Sequence, residues 1–181
     1  ADSLYAVKKL VYDEKKVTMK ELKEALATNY GKGLSKEDVA AVTAQIAGDL
    51  RNAGRKITEK GISAILNTEI AASESPAVQQ TGERILELIE EVPKFGNDIP
   101  EVDAFARNVA YTYTRPLQNY RNPRGGMFQA GLYPVSANVP LGVQTGATPD
   151  GRLAHQSAAG GGWTSAGKDV NGPTAAANSV A

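Results

Sequence analysis

The residues that decide the fold read NPRGGMFQAGLYPVSANVPLG at 122–142, followed by TGATPDGR at 145–152. After Gly125 and Gly126, the apolar positions change from helical spacing to the alternation that is typical of an extended strand. Pro134 and Pro140 interrupt this alternation and remove backbone donors, which favours a sheet edge or a barrel mouth over a central strand. We therefore expect a short strand that carries Met127, Gln129, Tyr133, Val135 and Val139.

The chain before this stretch has the apolar spacing of amphipathic helices. Thr18 and Glu21 have the spacing of a capping box. Pro116 predicts a kink or an early end of the last helix, in which Tyr113 is expected to face inward. Helices are predicted over about 4–11, from Met19 to Thr28, over 35–50, from Ser75–Pro76 to Val92, and from Pro100 onward.

Composition excludes several classes of function. The 181 residues include 20 Lys plus Arg and 20 Asp plus Glu, so no net charge draws the chain to nucleic acid or to a membrane surface. The chain contains no cysteine and one histidine, which leaves no thiolate nucleophile and no metal site built from Cys or several His. We expect a cytoplasmic protein with no nucleic-acid partner, no membrane span and no metal.

Periodicity also suggests a division of the chain. Residues 1–121 form the expected helical part and residues 122–181 the expected strand and Gly/Ala-rich loops, while an apparent insertion at 32–81 is implied only by the family resemblance given below. The absence of an initial Met and the abrupt end at Ala181 indicate that both termini are cuts within a longer chain.

Four sequence blocks carry a family resemblance: DSLYAVKKLV at 2–11, PKFGND at 93–98, the run over 122–152, and NGPTAAANSV at 171–180. Together they resemble the glycyl radical enzymes of the pyruvate formate-lyase-like superfamily, nearest to the glycerol and propanediol dehydratase branch. The resemblance implies an α/β fold, in which this chain is an internal fragment of a ten-stranded barrel. Residues 155–164 depart from the family pattern.

The resemblance also implies an activity. Such enzymes store a radical on a glycine and relay it through a cysteine, which removes hydrogen from a small 1,2-diol so that water leaves and an aldehyde forms. The cysteine and the radical glycine are expected outside this chain, which then has no catalytic residue and is inactive alone. An activating enzyme with an iron–sulfur cluster and S-adenosylmethionine installs the radical, and no cofactor binds this chain directly. A homodimer is expected, in the cytoplasm or in a bacterial microcompartment.

Tyr133 and Val135 are the candidate substrate-binding residues, because the resemblance places the tyrosine of GLYPVS beside bound substrate. Residues two apart on a strand share a face, so Val135 joins it. A tyrosine on an alternating strand is more often part of a core, which is the competing interpretation of Tyr133.

Other side chains receive structural interpretations. His155 is expected to be a solvated loop residue, Arg152 to make a salt bridge across the barrel rim, and the glutamates between 83 and 91 to form the wet face of a helix. Two functional alternatives remain open. One is a choline trimethylamine-lyase or another glycyl radical lyase, and the other is a non-catalytic helical binding module.

Overall fold

The computed structural model describes residues 1–33, 43–44, 75–133, 136–161 and 164–181. The predicted helix over 35–50 therefore lies almost entirely outside the described residues. The described part is rich in helix, as expected. The helices are α1 (Asp2–Val7, continued by a π-helical turn at Lys8–Asp13), α2 (Met19–Ala27), α3 (Pro76–Glu91), α4 (Pro100–Leu117), α5 (Asn138–Val143) and α6 (Gly172–Val180), with a 3₁₀ turn at Asn29–Gly31.

The chain divides into two compact units. Unit 1 comprises Ala1–Tyr5, Pro93–Asn138 and Ala159–Ala181, and unit 2 comprises Ala6–Val92 and Val139–Ala158. The expected boundary at residue 121 and the insertion at 32–81 stay predictions. Among the described residues, no helix is both long enough and apolar enough to cross a membrane.

In unit 2, α2 and α3 pack against each other and against the 3₁₀ turn that follows α2. The helix α3 starts at Pro76, whose fixed φ suits a first turn, and buries Ile85 and Ile89 completely. Leu22 and Ala25 of α2 complete this apolar contact. The amphipathic patterns of the sequence thus give the observed buried faces.

A left-handed backbone corner connects α2 to the rest of unit 2. Asn29, Tyr30 and Gly31 have φ values of 51, 54 and 71°, a conformation that is uncommon for residues with a side chain. The corner places the Tyr30 backbone on α3 at Gly82, where an added Cβ would lie 2.0 Å from the Tyr30 carbonyl oxygen. Only a glycine in α3 permits this approach.

Unit 1 is held largely by buried polar groups. The Asp2 carboxylate, which is buried, accepts hydrogen bonds from the Phe95 amide at 2.8 Å and the Ser165 hydroxyl at 3.2 Å. The Asn97 side chain donates to the carbonyls of Lys94 and Lys168 and accepts from the Asn171 amide. These bonds tie the turn at 95–98 to the segment that leads into α6.

Three expectations for the region after residue 110 need correction or stay open. Tyr113 does not face inward: it is 60% exposed, because α4 packs through Val102 and Phe105 near its beginning, and its later turns extend past that contact. Val139 is not in a strand, since Asn138–Val143 is helical. In the described residues the only sheet-like pairing there is an isolated bridge between Arg121 and Met127, so the barrel strand stays a prediction. Pro116 does mark the helix end, which falls at Leu117.

The capping box is confirmed and changes a titration. Glu21 accepts from the Thr18 amide at 2.8 Å, and the Glu21 amide donates to the Thr18 hydroxyl at 3.1 Å. Hydrogen bonds from the Thr18 backbone and side chain, and then the charge of Arg84, lower the pKa of Glu21 below 4.5. A carboxyl with a lowered folded-state pKa contributes stability above its unfolded-state pKa, and that stability is lost as the pH falls through the folded-state pKa.

Replacement of Glu21 by glutamine should therefore make stability less dependent on pH. As the pH is lowered below about 4.5, where a glutamate usually titrates, the urea concentration at the wild-type unfolding midpoint should decrease. Between about pH 6 and pH 3, the midpoint of Glu21→Gln should decrease less. Glu24→Gln, at an exposed glutamate of α2 outside the cap, is the control. An equal dependence of the urea midpoint on pH in wild type, Glu21→Gln and Glu24→Gln would show that the cap does not determine how stability changes over this pH range.

Replacement of Gly82 by alanine tests the corner. At an open helical position this change stabilises by about 1 kcal/mol, but here the new Cβ meets the Tyr30 carbonyl, and we expect a loss of about 2 kcal/mol or more in the free energy of unfolding. Urea denaturation measures it. The exposed neighbour Gln80→Ala should stay within about 0.5 kcal/mol of wild type. A more stable Gly82→Ala variant would contradict the close approach.

Candidate functional site

A tight turn leads from α4 to the segment with Tyr133. The Asn122 side-chain oxygen accepts from the amides of Arg124 and Gly126, both at 2.9 Å, and the Asn122 amide donates to the Gly126 carbonyl at 2.8 Å. Gly125 has a φ of 83°, which a glycine adopts without strain. The NPRGG sequence thus reverses the chain and starts the extended segment at Met127.

Tyr133 lies at the end of this segment with 75% of its surface exposed. It does not belong to a core among the described residues, and its contact with substrate stays a prediction. Val135 lies outside the described residues, so its place beside Tyr133 stays a prediction.

The Tyr133 ring folds back over the backbone of Gly131. A Cβ built on Gly131 would lie 2.1 Å from Cε2, 2.5 Å from Cζ and 2.5 Å from the hydroxyl oxygen of Tyr133. Gly131 was not among the predicted site residues. Its position two residues before Tyr133, on the same face of an extended segment, is the sequence signal that identifies it.

A second ordered element, in unit 2, is the loop over 145–156, and Arg152 organises it. The guanidinium donates to the carbonyls of Leu153 at 3.2 Å, Gln156 at 2.7 Å and Thr145 at 3.4 Å, to that of Gly146, and to the Thr148 hydroxyl at 3.2 Å. The expected salt bridge across a rim is therefore corrected to closure of a loop. Burial lowers the pKa of Arg152, and the charge of Asp150 opposes that effect.

The left-handed corner holds this loop in place. The Tyr30 hydroxyl donates to the Thr148 carbonyl at 2.8 Å, and the Asn29 side-chain oxygen accepts from the Ala154 amide at 2.7 Å. Burial, and then the charge of Asp150, raise the pKa of Tyr30 far above its usual value, so the hydroxyl keeps its proton as a donor. The loop and the corner form one hydrogen-bonded structure.

His155 is not the solvated residue that the sequence suggested. It is half-buried with a φ of 66°, and Nδ1 lies 2.6 Å from the Val143 carbonyl. Since a carbonyl only accepts, Nδ1 carries the proton of this bond. The histidine thus anchors the loop to α5 and has no carboxylate or hydroxyl partner among its described hydrogen bonds that would activate it.

Metal and pocket chemistry are not evident in the described part of the chain. No group of three His, Asp or Glu side chains there is arranged to hold a metal. The glutamates of α3 face solvent, as predicted, and Glu83 pairs with Lys32 at 2.9 Å. Open depressions of about 520 and 500 Å³ lie on exposed faces of α3 and α2, and neither includes Tyr133.

Comparison with known proteins identifies the family. Residues 1–142 match the family described as pyruvate formate lyase-like. A solved structure from Roseburia inulinivorans, described in terms of 1,2-propanediol dehydration, is 54% identical with a TM-score of 0.77, over 99% of this chain and 21% of that one. The glycerol-bound B12-independent glycerol dehydratase from Clostridium butyricum is 41% identical with a TM-score of 0.66, over 99% and 16%. The chain therefore belongs to the pyruvate formate lyase-like family of glycyl radical enzymes.

Curated relatives span several reactions. The probable dehydratase YbiW of Escherichia coli (strain K12) is 46% identical over 51% of this chain and 12% of its own length. The indoleacetate decarboxylase of Tractidigestivibacter scatoligenes is 34% identical over 96% of this chain and 17% of its own length. The chain thus spans less than a fifth of the length of these relatives.

Replacement of Arg152 tests its role in the loop. Neither methionine nor lysine can reach the same set of carbonyls, and charged hydrogen bonds contribute about 1.5–3 kcal/mol each. In Arg152→Lys and Arg152→Met, we expect the amides of Thr148, Gly151 and His155 to exchange with solvent at least about tenfold faster, by NMR hydrogen exchange.

Arg121→Lys is the matched control for this measurement. Arg121 makes one described hydrogen bond, to Gly125, at an exposed position. The Arg121→Lys variant should leave the hydrogen exchange rates of the loop amides unchanged. Wild-type exchange rates in both Arg152 variants would exclude Arg152 as the organising residue.

Proposed function

We propose that this chain is part of a glycyl radical dehydratase that eliminates water from a small 1,2-diol, glycerol or propane-1,2-diol, to give an aldehyde. One observation carries the proposal. Identity to the structure described in terms of propanediol dehydration is 54% over 99% of the chain, against 34% over 96% for the decarboxylase. The glycerol-bound dehydratase lies between them at 41%.

Tyr133 is the proposed substrate-facing hydroxyl, and Val135 the proposed apolar wall. The exposure of Tyr133 supports this role, because the phenol is available to a ligand and can both donate to and accept from a diol hydroxyl. An apolar neighbour would suit the carbon backbone of the diol and help to exclude water.

The radical groups are proposed to come from other parts of a longer enzyme. The chain contains no cysteine, so it cannot supply the thiyl group that a hydrogen abstraction of this type requires. A run of exposed apolar side chains along α4 and the segment after it supports a larger protein around this chain, since exposed apolar surface is often covered by other protein. Its members are Tyr111, Tyr113, Tyr120, Met127, Phe128, Leu132 and Tyr133.

The partners follow from the same proposal. The full-length enzyme would be a homodimer, activated by an iron–sulfur enzyme that uses S-adenosylmethionine, in the cytoplasm or in a microcompartment. The role of this chain is then to shape one wall of the substrate site and to hold its backbone rigid.

A second candidate is a glycyl radical lyase that cleaves another bond. The relatives include isethionate sulfite-lyases at 30% identity over 96% of the chain, as well as the decarboxylase. A sulfonate or carboxylate substrate would require a cationic partner, such as Arg or Lys, at the site. Among the described residues, the segment 127–133 has no cationic side chain, which favours the neutral diol.

The test uses the full-length enzyme, activated without oxygen, on glycerol, propane-1,2-diol, isethionate and indoleacetate. We expect aldehyde from the diols only. Tyr133→Phe should lower kcat/KM for the diol about 10- to 100-fold, because a substrate hydrogen bond is lost. Tyr120→Phe, at another exposed tyrosine of unit 1, should retain wild-type kinetics. Sulfite or carbon dioxide release would establish the second candidate, and full activity of Tyr133→Phe would remove Tyr133 from the site.

A further inference from the structure

Gly131 and Tyr133 are two residues apart in the segment that follows the turn at Asn122. The Tyr133 ring uses the space that Gly131 leaves empty: Cε2, Cζ and the hydroxyl oxygen all lie within 2.5 Å of the point where a Cβ of residue 131 would be. Real Cβ atoms essentially never have neighbours this close. The observed ring position and a side chain at 131 are therefore mutually exclusive.

The need for glycine comes from this contact and not from the backbone. Gly131 is not among the glycines with positive φ, in contrast to Gly125 at 83° and Gly161 at 65°. An alanine at 131 would have an ordinary backbone conformation, and the Tyr133 ring is what it would displace. A substitution at 131 thus acts on Tyr133 specifically.

We propose that Gly131 is a positioning residue of the proposed substrate site, because its missing side chain leaves the space in which the Tyr133 ring and hydroxyl lie against the backbone. The proposal rests on the proposed function, in which Tyr133 contacts the substrate. A side chain at 131 would push the phenol outward and narrow the space above the segment. The size of residue 131 therefore sets how large a substrate the site accepts.

The experiment is a double-mutant cycle in the activated full-length enzyme, with propane-1,2-diol as substrate. Gly131→Ala should raise KM at least about tenfold and change kcat less, because the ground-state position of a binding group is altered. In a Tyr133→Ala background the ring is gone, so adding Gly131→Ala should change KM less than about twofold. Thermal melting of each variant separates loss of fold from loss of positioning.

Gly160→Ala is the matched control, since no described residue lies within 4 Å of its Cβ position and its φ is not positive. It should behave as wild type. Equal effects of Gly131→Ala with and without the Tyr133 ring, or a wild-type KM in Gly131→Ala, would overturn the proposal while a defective Tyr133→Phe still supports the site. Full activity of both Tyr133→Phe and Tyr133→Ala would instead overturn the proposed role of Tyr133 itself.

Discussion

The approach of the Tyr30 carbonyl to the α-carbon of Gly82 is the constraint on which unit 2 depends. It requires glycine in the middle of α3, where that residue costs about 1 kcal/mol relative to alanine, and it requires a left-handed backbone at Tyr30. Both are unfavourable locally. These two costs are offset because the Tyr30 ring is completely buried and its hydroxyl donates a hydrogen bond to the Thr148 carbonyl.

The same corner fixes the loop over 145–156, whose residues are half-buried or exposed. Loops usually lie on the surface with their polar backbone groups hydrated. Here Arg152 donates to loop carbonyls from within the loop, the Tyr30 hydroxyl of the 3₁₀ turn donates to the Thr148 carbonyl, and the Asn29 side chain accepts from the Ala154 amide. The half-buried backbone of this loop keeps its polar groups paired because these partners are supplied at fixed positions.

The sequence predicts those parts of the fold that local chemistry determines. The capping box at Thr18, the start of α3 at Pro76 and the end of α4 beside Pro116 each follow from a residue and its near neighbours. The corner at Asn29 could not be predicted in this way, because its conformation is stabilised by contacts with residues more than fifty positions away. The sequence predicts a salt bridge for Arg152 and a solvated loop position for His155, whereas both side chains bind backbone carbonyls.

The segment that ends at Tyr133 shows how much of a strand an alternating sequence pattern can predict. Alternating residues identify the face that Tyr133 shares with Gly131, but a strand also requires a neighbour to bond its backbone. In the part of the chain that the structure describes, the segment has one bridge, at Arg121 and Met127. The alternating pattern therefore predicts which side chains of a strand would share a face. The hydrogen bonding of that strand to a neighbour depends on residues outside the pattern.

Unit 1 buries Tyr5, Val102 and Ala176 but exposes many large apolar side chains, and this distribution connects its stability to its proposed role. Asp2, Asn97 and Thr164 are buried, whereas the apolar side chains from Tyr111 to Tyr133 are exposed. Because each satisfied hydrogen bond contributes only about 1 kcal/mol net, unit 1 obtains modest stability from its own interior. Burial of the exposed apolar stretch by other protein would then contribute more to stability than these hydrogen bonds do. In the proposed enzyme, the protein that covers this stretch would also close the proposed site around Tyr133 and Gly131.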